Sequence, residues 1–176
     1  MTGFMTSGKS TIGPIVANTL GLNFYDLDKV IVEREGCSIV EIFEKKGEDY
    51  FRNLERYILE ELCKNDNVII SLGGGTIANP DNLLLLKKTG LIIYLQVSPE
   101  ILYKRLKNKI DRPLFRDLVL GGNPEKDFVE RIREMLDKRK EFYEKADIII
   151  NTDFNPIGVT VDRIASKISR IIDEKN

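Results

Sequence analysis

Short apolar runs alternate with amphipathic segments along this chain, and that alternation constrains the fold more than any other feature. Four runs have the length and the β-branched content of strands, near residues 23–25, 68–71, 91–95 and 147–151. The segments between them carry apolar residues at helical spacing. Strands that are apolar throughout are typical of parallel sheets covered on both faces, so the pattern predicts an α/β fold. No linker or repeat interrupts it, and we expect one domain over residues 1–176.

A phosphate-binding pattern stands at the start of the chain. The stretch GFMTSGKS at residues 3–10 matches G-x-x-x-x-G-K-[ST], and a helix-like segment follows it. In such a loop, backbone N–H groups and the helix N-terminus face the phosphates, and Gly8 permits their close approach. Lys9 is the candidate for binding the β- and γ-phosphates, and the Ser10 hydroxyl is the candidate ligand of Mg²⁺.

The strand that should precede this loop is nearly absent. Only Met1 and Thr2 come before Gly3, whereas a phosphate loop normally follows a buried strand. We therefore expect a truncated first strand, and the loss of a central strand removes hydrogen-bond partners from both neighbours. Two interpretations follow: either the natural chain has further residues before Met1, or this form is poorly folded.

Two other patterns lie where predicted strands end. Asp26 and Asp28 follow the strand near residues 23–25, and they share a face if that strand continues through them. Paired carboxylates near a phosphate loop suit magnesium and a substrate hydroxyl, although Asp is also a common helix N-cap. Residues 73–75, all glycine, follow the next strand, and they leave bare N–H groups and room for a ligand.

Arginines are the candidates for binding a carboxylate or a phosphate group. Those that stand out are Arg52, Arg112, Arg116 and Arg139. Arg52 precedes Glu55 by three residues, one helical turn, which is equally compatible with a surface ion pair. Residues 109–124 lack periodicity and carry turn residues, as a lid over an active site does.

Composition excludes several classes of function. The chain has no histidine, which excludes Ser-His-Asp triads and His-ligated zinc, so acid–base chemistry falls to Asp, Glu, Lys or Tyr. A net charge of −1 gives no global field for nucleic acid, and no apolar run is long enough to span a bilayer. We expect no nucleic-acid or membrane partner and a cytoplasmic protein. Cys37 and Cys63 are expected to be buried small residues in helical segments.

Taken together, the motifs resemble the shikimate kinase family over nearly the whole chain. They are GFMTSGKST, DLD, SIVEIFEKKGEDYFRNLE, SLGGGT and DRPL. The resemblance implies a P-loop kinase related to nucleoside monophosphate kinases, a three-layer α/β/α fold with a parallel sheet of order 2-3-1-4-5. It implies transfer of the γ-phosphoryl group of ATP, with Mg²⁺, to the 3-hydroxyl of shikimate on the route to chorismate and aromatic amino acids. It also implies a lid at about 109–124, a substrate-binding helical region at about 27–64, and a monomer.

The resemblance assigns roles by position. The catalytic residues would be Lys9, Asp28 as the base, and Arg112 from the lid. The residues binding ATP would be Met5, Thr6, Ser7, Gly8, Lys9, Ser10, Thr11, Arg105 and Pro156. The residues binding shikimate would be Asp28, Arg52, Gly73, Gly74, Gly75 and Arg139, with Glu55 orienting Arg52. The residues near the metal would be Ser10 and Asp26. The family often has glycine in place of Thr6, a departure from which we expect little effect.

Two other functions remain open from the sequence. One is another small-molecule kinase of the same fold, acting on gluconate or on a nucleoside monophosphate. The pair Arg52 and Arg139 together with Asp28 suits a compact polyhydroxy carboxylate better than a nucleobase. The other is a nucleotide-binding protein without catalysis, although every proposed catalytic position is filled.

Overall fold

The computed structural model describes residues 1–108 and 125–174. Helices and strands alternate in this part of the chain: α1 (Lys9–Leu20), β1 (Asn23–Asp26), α2 (Leu27–Glu35), α3 (Ile39–Leu62), β2 (Val68–Ser71), a 3₁₀ turn (Thr76–Ala78), α4 (Pro80–Thr89), β3 (Ile93–Gln96), α5 (Pro99–Leu106), α6 (Glu125–Tyr143), β4 (Ile148–Asn151) and α7 (Ile157–Asp173). The predicted strands are confirmed to within two residues. The predicted lid at 109–124 lies outside the described residues.

Local sequence signals explain several helix ends. The Ser38 side chain accepts a hydrogen bond from the N–H of Glu41 (3.2 Å), and the Glu41 carboxylate accepts one from the N–H of Ser38 (2.9 Å). This reciprocal capping box starts α3, as its spacing predicts. The span Ile39–Leu62 consists of two helical stretches that meet in a kink at Gly47, where φ is 82°. Gly47 tolerates this left-handed conformation without strain.

The strands form two parallel pairs. β1 pairs with β2, so that Asn23 lies opposite Val68, and β3 pairs with β4, so that Ile93 lies opposite Ile148. Each helix that follows a strand returns the chain to the starting edge of the sheet, which is why consecutive strands run in the same direction.

Met1 and Thr2 join the two pairs into one sheet. The Met1 amino group donates to the Ile70 carbonyl (2.6 Å), and the Met1 carbonyl accepts from the N–H of Leu72 (2.9 Å). On the other side, the N–H of Thr2 donates to the Ile93 carbonyl (2.7 Å), and the Thr2 carbonyl accepts from the N–H of Leu95 (2.9 Å). The order is therefore β1, β2, Met1 with Thr2, β3 and β4, which confirms the expected order 2-3-1-4-5.

A space lies beside Met1 at the end of the sheet far from the phosphate loop. A cavity of about 170 Å³ lies between β2 and β3 beside Met1, and its walls include Val68, Ile70 and Ile93. Met1 and Thr2 nevertheless bond to both neighbours at the end that bears the loop. The loop is thus anchored by the residues immediately before it.

Helices cover the two faces of the sheet. Residues Ile93 and Leu95 point to one face, where they pack with α1 and α7. Tyr94, between them in sequence, points to the other face and packs with Leu83 of α4 and Tyr143 of α6. Alternate strand residues therefore serve opposite layers, which confirms the three-layer α/β/α arrangement.

Two expectations about burial are wrong. Ile149 of edge strand β4 is 41% exposed, so the outer face of the sheet is not fully covered there. Cys37 lies in the turn between α2 and α3, Cys63 follows the last residue of α3, and both are half-buried free thiols rather than buried helical residues. Among the described residues, no helix has the length and apolar character to cross a bilayer.

Replacing Thr2 by valine is expected to stabilise the fold. Thr2 is fully buried, and its hydroxyl has no hydrogen-bond partner among the described residues. Valine keeps the shape and the backbone bonds while removing an unsatisfied polar group, so the free energy of unfolding should rise by about 1 kcal/mol. Thermal denaturation should show a midpoint roughly 2–4 °C higher. The matched variant Thr2→Ser keeps the hydroxyl and should be less stable than the parent; a lower midpoint for Thr2→Val would contradict the assignment.

Candidate active site

The phosphate loop connects Thr2 of the sheet to α1. Gly8 has φ 107° at the N-cap of α1, and Gly3 has φ 152°. A Cβ added at Gly3 would lie 2.8 Å from the Leu95 carbonyl oxygen and 2.6 Å from Ser7 Oγ, so the loop passes too close to β3 for any side chain there. The two positions of the sequence pattern therefore require glycine for different reasons. Position 3 lacks space for a side chain, and position 8 has a backbone conformation that favours glycine.

The Lys9 ammonium group is bound by its own loop. Its Nζ donates to the carbonyls of Gly3 (2.8 Å) and Phe4 (3.0 Å). The side chain therefore lies across the mouth of the loop, where a cation would meet a phosphate group. These two bonds are the ones that a phosphate oxygen would replace.

Thr6 occupies a strained position in the loop. Its φ is 58°, a region that a β-branched residue rarely adopts and glycine adopts freely. Little effect was expected from threonine in place of the family's glycine, yet the structure shows a backbone cost at this position. The Thr6 carbonyl accepts a hydrogen bond from Arg105 Nη1 (3.1 Å), which helps to hold the conformation.

A cavity of about 320 Å³ lies on the α7 side of the loop. Its lining residues are Thr6, Ser7, Gly8, Thr11, Ile12, Arg105, Thr152, Asn155, Ile157 and Thr160. Arg105 also donates to the Thr152 carbonyl (3.2 Å), so its guanidinium group joins the loop to the end of β4. Pro156 immediately precedes α7, between the lining residues Asn155 and Ile157. The structure thus brings most of the residues predicted to bind ATP around one space.

A smaller cavity, of about 100 Å³, lies on the other side of the loop. Its lining residues are Met5, Thr6, Lys9, Ser10, Asp26, Asp28, Ser71, Leu72, Gly73 and Gly74. Met5, expected on the ATP side, is on this side. The cavity brings together the phosphate loop, the aspartate pair and the triple glycine, which are far apart in sequence. Their proximity follows from the parallel sheet, because all three come directly after strands.

A cavity of about 350 Å³ lies elsewhere, between α6 and the ends of β3 and β4. Its walls include Tyr94, Asp137, Lys140 and Asn151, and it contains none of the predicted site residues.

The strand argument for Asp26 and Asp28 is wrong, although both reach the same cavity. β1 ends at Asp26, which is the N-cap of α2 and accepts a hydrogen bond from the N–H of Lys29 (3.4 Å). Asp28 belongs to the first turn of that helix rather than to a strand. Ser10 Oγ lies 3.4 Å from Asp26 Oδ2. The hydroxyl and the carboxylate predicted to serve the metal are thus adjacent.

The triple glycine is the point where the predicted acceptor-binding side chains meet. A Cβ added at Gly73 would lie 2.8 Å from Asp28 Oδ1, and one at Gly74 would lie 3.1 Å from Arg139 Nη1. A Cβ at Gly75 would lie 3.4 Å from both terminal nitrogens of Arg52. Each glycine therefore lies beside one charged group, and at Gly73 a side chain would displace Asp28, a reason for glycine there that the sequence did not reveal.

Arg52 is held by the buried carboxylate of Glu55. Arg52 Nη1 donates to Glu55 Oε2 (3.0 Å), and the Glu55 side chain is 2% exposed whereas that of Arg52 is 38% exposed. The predicted i,i+3 pair is confirmed, but it is not a pair on the surface. A buried carboxylate requires a partner. The other nitrogens of Arg52, Nε and Nη2, donate to Oε1 of the exposed Glu48 (3.3 and 3.2 Å), and both terminal nitrogens lie beside Gly75.

Arg139 lies beside Phe4 and Tyr143. Its guanidinium carbon is 5.8 Å from the centre of the Phe4 ring, a cation–π contact. Tyr143 donates from its hydroxyl to the Gly74 carbonyl (3.2 Å), and burial raises the pKa of this hydroxyl, which keeps it protonated. Arg112 and Arg116 lie outside the described residues.

Three residues near the glycines were missed by the sequence analysis. Thr76, Asn82 and Tyr143 are buried and bonded to the glycine turn or to its immediate neighbours. The signal for Thr76 was its position directly after the glycines in SLGGGT, and Tyr143 follows Arg139 by one helical turn. Nothing in the local pattern marked Asn82.

Comparisons with a family model and with known proteins point to the same family. The family model described as shikimate kinase matches residues 5–172. The shikimate kinase of Chloroherpeton thalassium is 44% identical, over 98% of this chain and 92% of its own length.

Two solved structures agree with that match. The shikimate kinase of Bacteroides thetaiotaomicron is similar with a TM-score of 0.84 and 35% identity, over 96% of each chain. The shikimate kinase of Acinetobacter baumannii, solved in complex with shikimate, has a TM-score of 0.80 and 31% identity, over 99% of this chain and 92% of that one. With the phosphate loop, the aspartates and the arginine-flanked glycines in one place, these matches lead to one conclusion: the chain belongs to the shikimate kinase family.

Proposed function

We propose that this protein transfers the γ-phosphoryl group of ATP to the 3-hydroxyl of shikimate, a step toward chorismate and the aromatic amino acids. The observation that carries the proposal is the glycine turn, residues 73–75. It lies against Asp28, Arg139 and Arg52, and it shares a cavity with Lys9. Lys9 and Asp28 thus line one cavity, and the two arginines lie against the glycine turn that borders it.

ATP would occupy the phosphate loop and the larger cavity. The N–H groups of the loop and the N-terminus of α1 favour the phosphate charges. Lys9 would exchange its bonds to Gly3 and Phe4 for bonds to the phosphates. Arg105, which lines the larger cavity, and Pro156, which lies beside it, would contact the adenine. Arg112 would complete the charge neutralisation from the lid at 109–124.

Shikimate would be oriented by its carboxylate and its hydroxyl groups. Arg52 and Arg139 together offer planar donor groups that match a carboxylate. Asp28 would accept the proton of the 3-hydroxyl as its oxygen attacks the γ-phosphorus, and ADP would leave with the electrons of the broken P–O bond. Such a transfer depends on positioning and charge stabilisation more than on covalent catalysis, so the lack of histidine is no obstacle.

Magnesium fits the oxygen donors on the nucleotide side. Ser10 Oγ and the Asp26 carboxylate are hard ligands, 3.4 Å apart at the edge of the smaller cavity. No cluster of three or more acidic, cysteine or histidine side chains suits a metal among the described residues. In kinases, one or two protein oxygens hold Mg²⁺ together with water and phosphate. The ion would neutralise the phosphate charge during transfer.

Replacing Asp26 by asparagine should raise the Mg²⁺ concentration needed for half-maximal activity. Asparagine keeps an oxygen that caps α2 but removes the negative charge near Ser10. The expected shift is roughly tenfold, as for other residues that support a metal site. Magnesium titrations of initial rate would measure it, with exposed Asp49→Asn on α3 as the control. An unchanged titration would remove Asp26 from the metal site.

The acceptor is best tested by coupled detection of ADP with a panel of compounds. We expect release of ADP to depend on shikimate and to be far slower with gluconate or a nucleoside monophosphate. A faster rate with gluconate or with a nucleoside monophosphate would show that this compound, and not shikimate, is the acceptor. Binding of ATP without turnover of any acceptor would favour the non-catalytic alternative instead.

The remaining features belong to the same proposal. The protein would act as one domain over residues 1–176, with residues 27–64 forming the helical part of the shikimate site. It would work as a cytoplasmic monomer without nucleic-acid or membrane partners. Light scattering of the purified chain during turnover would test the monomer.

A further inference from the structure

A buried polar network joins Arg52 to the residue that ends the glycine turn. Thr76 is fully buried, and its hydroxyl donates to Glu55 Oε1 (2.7 Å). The other oxygen of the same carboxylate accepts from Arg52. Both oxygens of Glu55 are therefore committed, and the Thr76 hydroxyl determines where the oxygen that receives Arg52 lies.

Thr76 is itself held from both sides through its backbone. Its N–H donates to the Gly73 carbonyl (3.3 Å), which closes the turn. Its carbonyl accepts from Asn82 Nδ2 (3.0 Å), and Asn82 is a buried residue in the first turn of α4. The position of the Thr76 hydroxyl is thus set by the turn and by α4 together, rather than by a flexible side chain.

Tyr143 performs a similar task on the side of Arg139. It is 1% exposed, and its ring stacks on Tyr94 with centres 4.5 Å apart and planes 8° apart. That stack directs its hydroxyl at the Gly74 carbonyl. Gly74 is the residue against which Arg139 lies, and Arg139 precedes Tyr143 by one turn of α6. The bond therefore sets the distance between the turn and the helix that carries this arginine.

We propose that Thr76 and Tyr143 are positioning residues that hold the glycine turn and the two arginines in one geometry before the acceptor binds. Neither would touch the acceptor: Thr76 acts through Glu55 on Arg52, and Tyr143 acts through its bond to Gly74 and its own hydrogen bond with Arg139. A carboxylate bound by two planar guanidinium groups requires both in place at once, so a pre-built arrangement lowers the entropy lost on binding. This inference rests on the acceptor site proposed above.

Thr76→Val tests the first residue. Valine keeps the volume and leaves Glu55 Oε1 without its donor, so the KM for shikimate should rise roughly tenfold, as expected for a hydrogen bond to a charged group. The KM for ATP should change less than about twofold, because Thr76 does not reach the phosphate loop. Thr76→Ser restores the hydroxyl and should recover most of the affinity for shikimate, which also covers the case in which Thr76→Val folds poorly.

The route through Arg52 is tested by a double-mutant cycle. If Thr76 acts through Glu55 on Arg52, adding Thr76→Val to Arg52→Ala should raise the KM for shikimate by less than about twofold further. An additive tenfold loss in that background would show that Thr76 does not act through Arg52 and would overturn this half of the inference.

Tyr143→Phe tests the second residue, with Tyr94→Phe as its matched control. Both variants remove one hydroxyl from the same stacked pair. Among the described contacts, the Tyr143 hydroxyl bonds to the glycine turn, whereas no such bond is recorded for the Tyr94 hydroxyl. We expect a roughly fivefold rise in the KM for shikimate for Tyr143→Phe, the effect of one neutral hydrogen bond, and none for Tyr94→Phe. Equal effects of the two variants, or equal changes in the KM values for ATP and shikimate, would overturn the positioning role of Tyr143.

The two proposals can fail separately in these experiments. If Arg52→Ala and Arg139→Ala leave the KM for shikimate unchanged, the acceptor site itself is misassigned. If they raise it strongly while Thr76→Val and Tyr143→Phe leave it unchanged, the acceptor site stands and the positioning role is wrong.

Discussion

Replacing Lys9 by alanine is expected to lower kcat by roughly 10²- to 10³-fold, comparable to the loss of one preorganised donor in other active sites. Lys9 extends across the mouth of the phosphate loop and binds the carbonyls of Gly3 and Phe4. In the complex with ATP, the Lys9 ammonium group would stay bound to the transferred phosphoryl group, whose outer oxygens become more negative during transfer. An interaction that strengthens in the transition state raises kcat rather than binding alone.

The measurement is steady-state kinetics with both substrates varied. The KM for shikimate should change less than about threefold, because Lys9 is bonded to the loop carbonyls of Gly3 and Phe4, on the proposed ATP side of the reaction. Lys88→Ala, an exposed lysine in the last turn of α4, removes the same charge far from the loop and should behave as the parent. A kcat for Lys9→Ala within threefold of the parent value would contradict its catalytic role.

Arg52→Ala should instead mainly weaken the binding of the acceptor, shikimate. We expect the KM for shikimate to rise on the order of 100-fold, since one of two guanidinium groups for the carboxylate is lost. The same change leaves Glu55, which is 2% exposed, without its cation. The free energy of unfolding should therefore fall by about 1–3 kcal/mol, less than for a fully buried pair because Arg52 is 38% exposed.

A double variant separates binding from folding. Arg52→Ala with Glu55→Gln removes the uncompensated charge, so stability should return while the KM for shikimate stays high. The control is Arg56→Ala on the same helix, whose pairs with Glu60 and Asp81 are exposed and are worth little. Calorimetric binding of shikimate and thermal denaturation measure the two effects. Affinity for shikimate within threefold of the parent would show that Arg52 does not bind the carboxylate.

Local signals were sufficient for the elements and for the loop. The glycine and lysine positions of residues 3–10, the capping box at Ser38 and the apolar strands each depend on neighbours within one or two helical turns. Such patterns report backbone geometry directly, which is why strand positions were right to within two residues. The aspartate pair lines one cavity as expected, but for another reason, because the strand ends two residues before Asp28 rather than continuing through it.

Burial and long-range contact were beyond those signals. Sequence spacing places Glu55 one turn from Arg52 but does not say that it is inaccessible to water. It places Tyr143 one turn from Arg139 but does not show its bond to Gly74, 69 residues away. The same holds for Met1 and Thr2. So short a segment before the loop suggests that its neighbouring strands lack hydrogen-bond partners, yet these two residues bond to both β2 and β3.

The amino-acid sequence alone determined the α/β class, the phosphate loop, the family and the identity of each proposed site residue, since these depend on residue type and on short-range spacing. The tertiary structure alone decided that each of three glycines lies beside one charged side chain and that Gly73 leaves the space that Asp28 occupies. It also decided that Thr76 and Tyr143 connect those glycines to the arginines. The physical reason is that parallel strands bring their carboxyl ends together at one edge, where residues distant in sequence come close enough to bond.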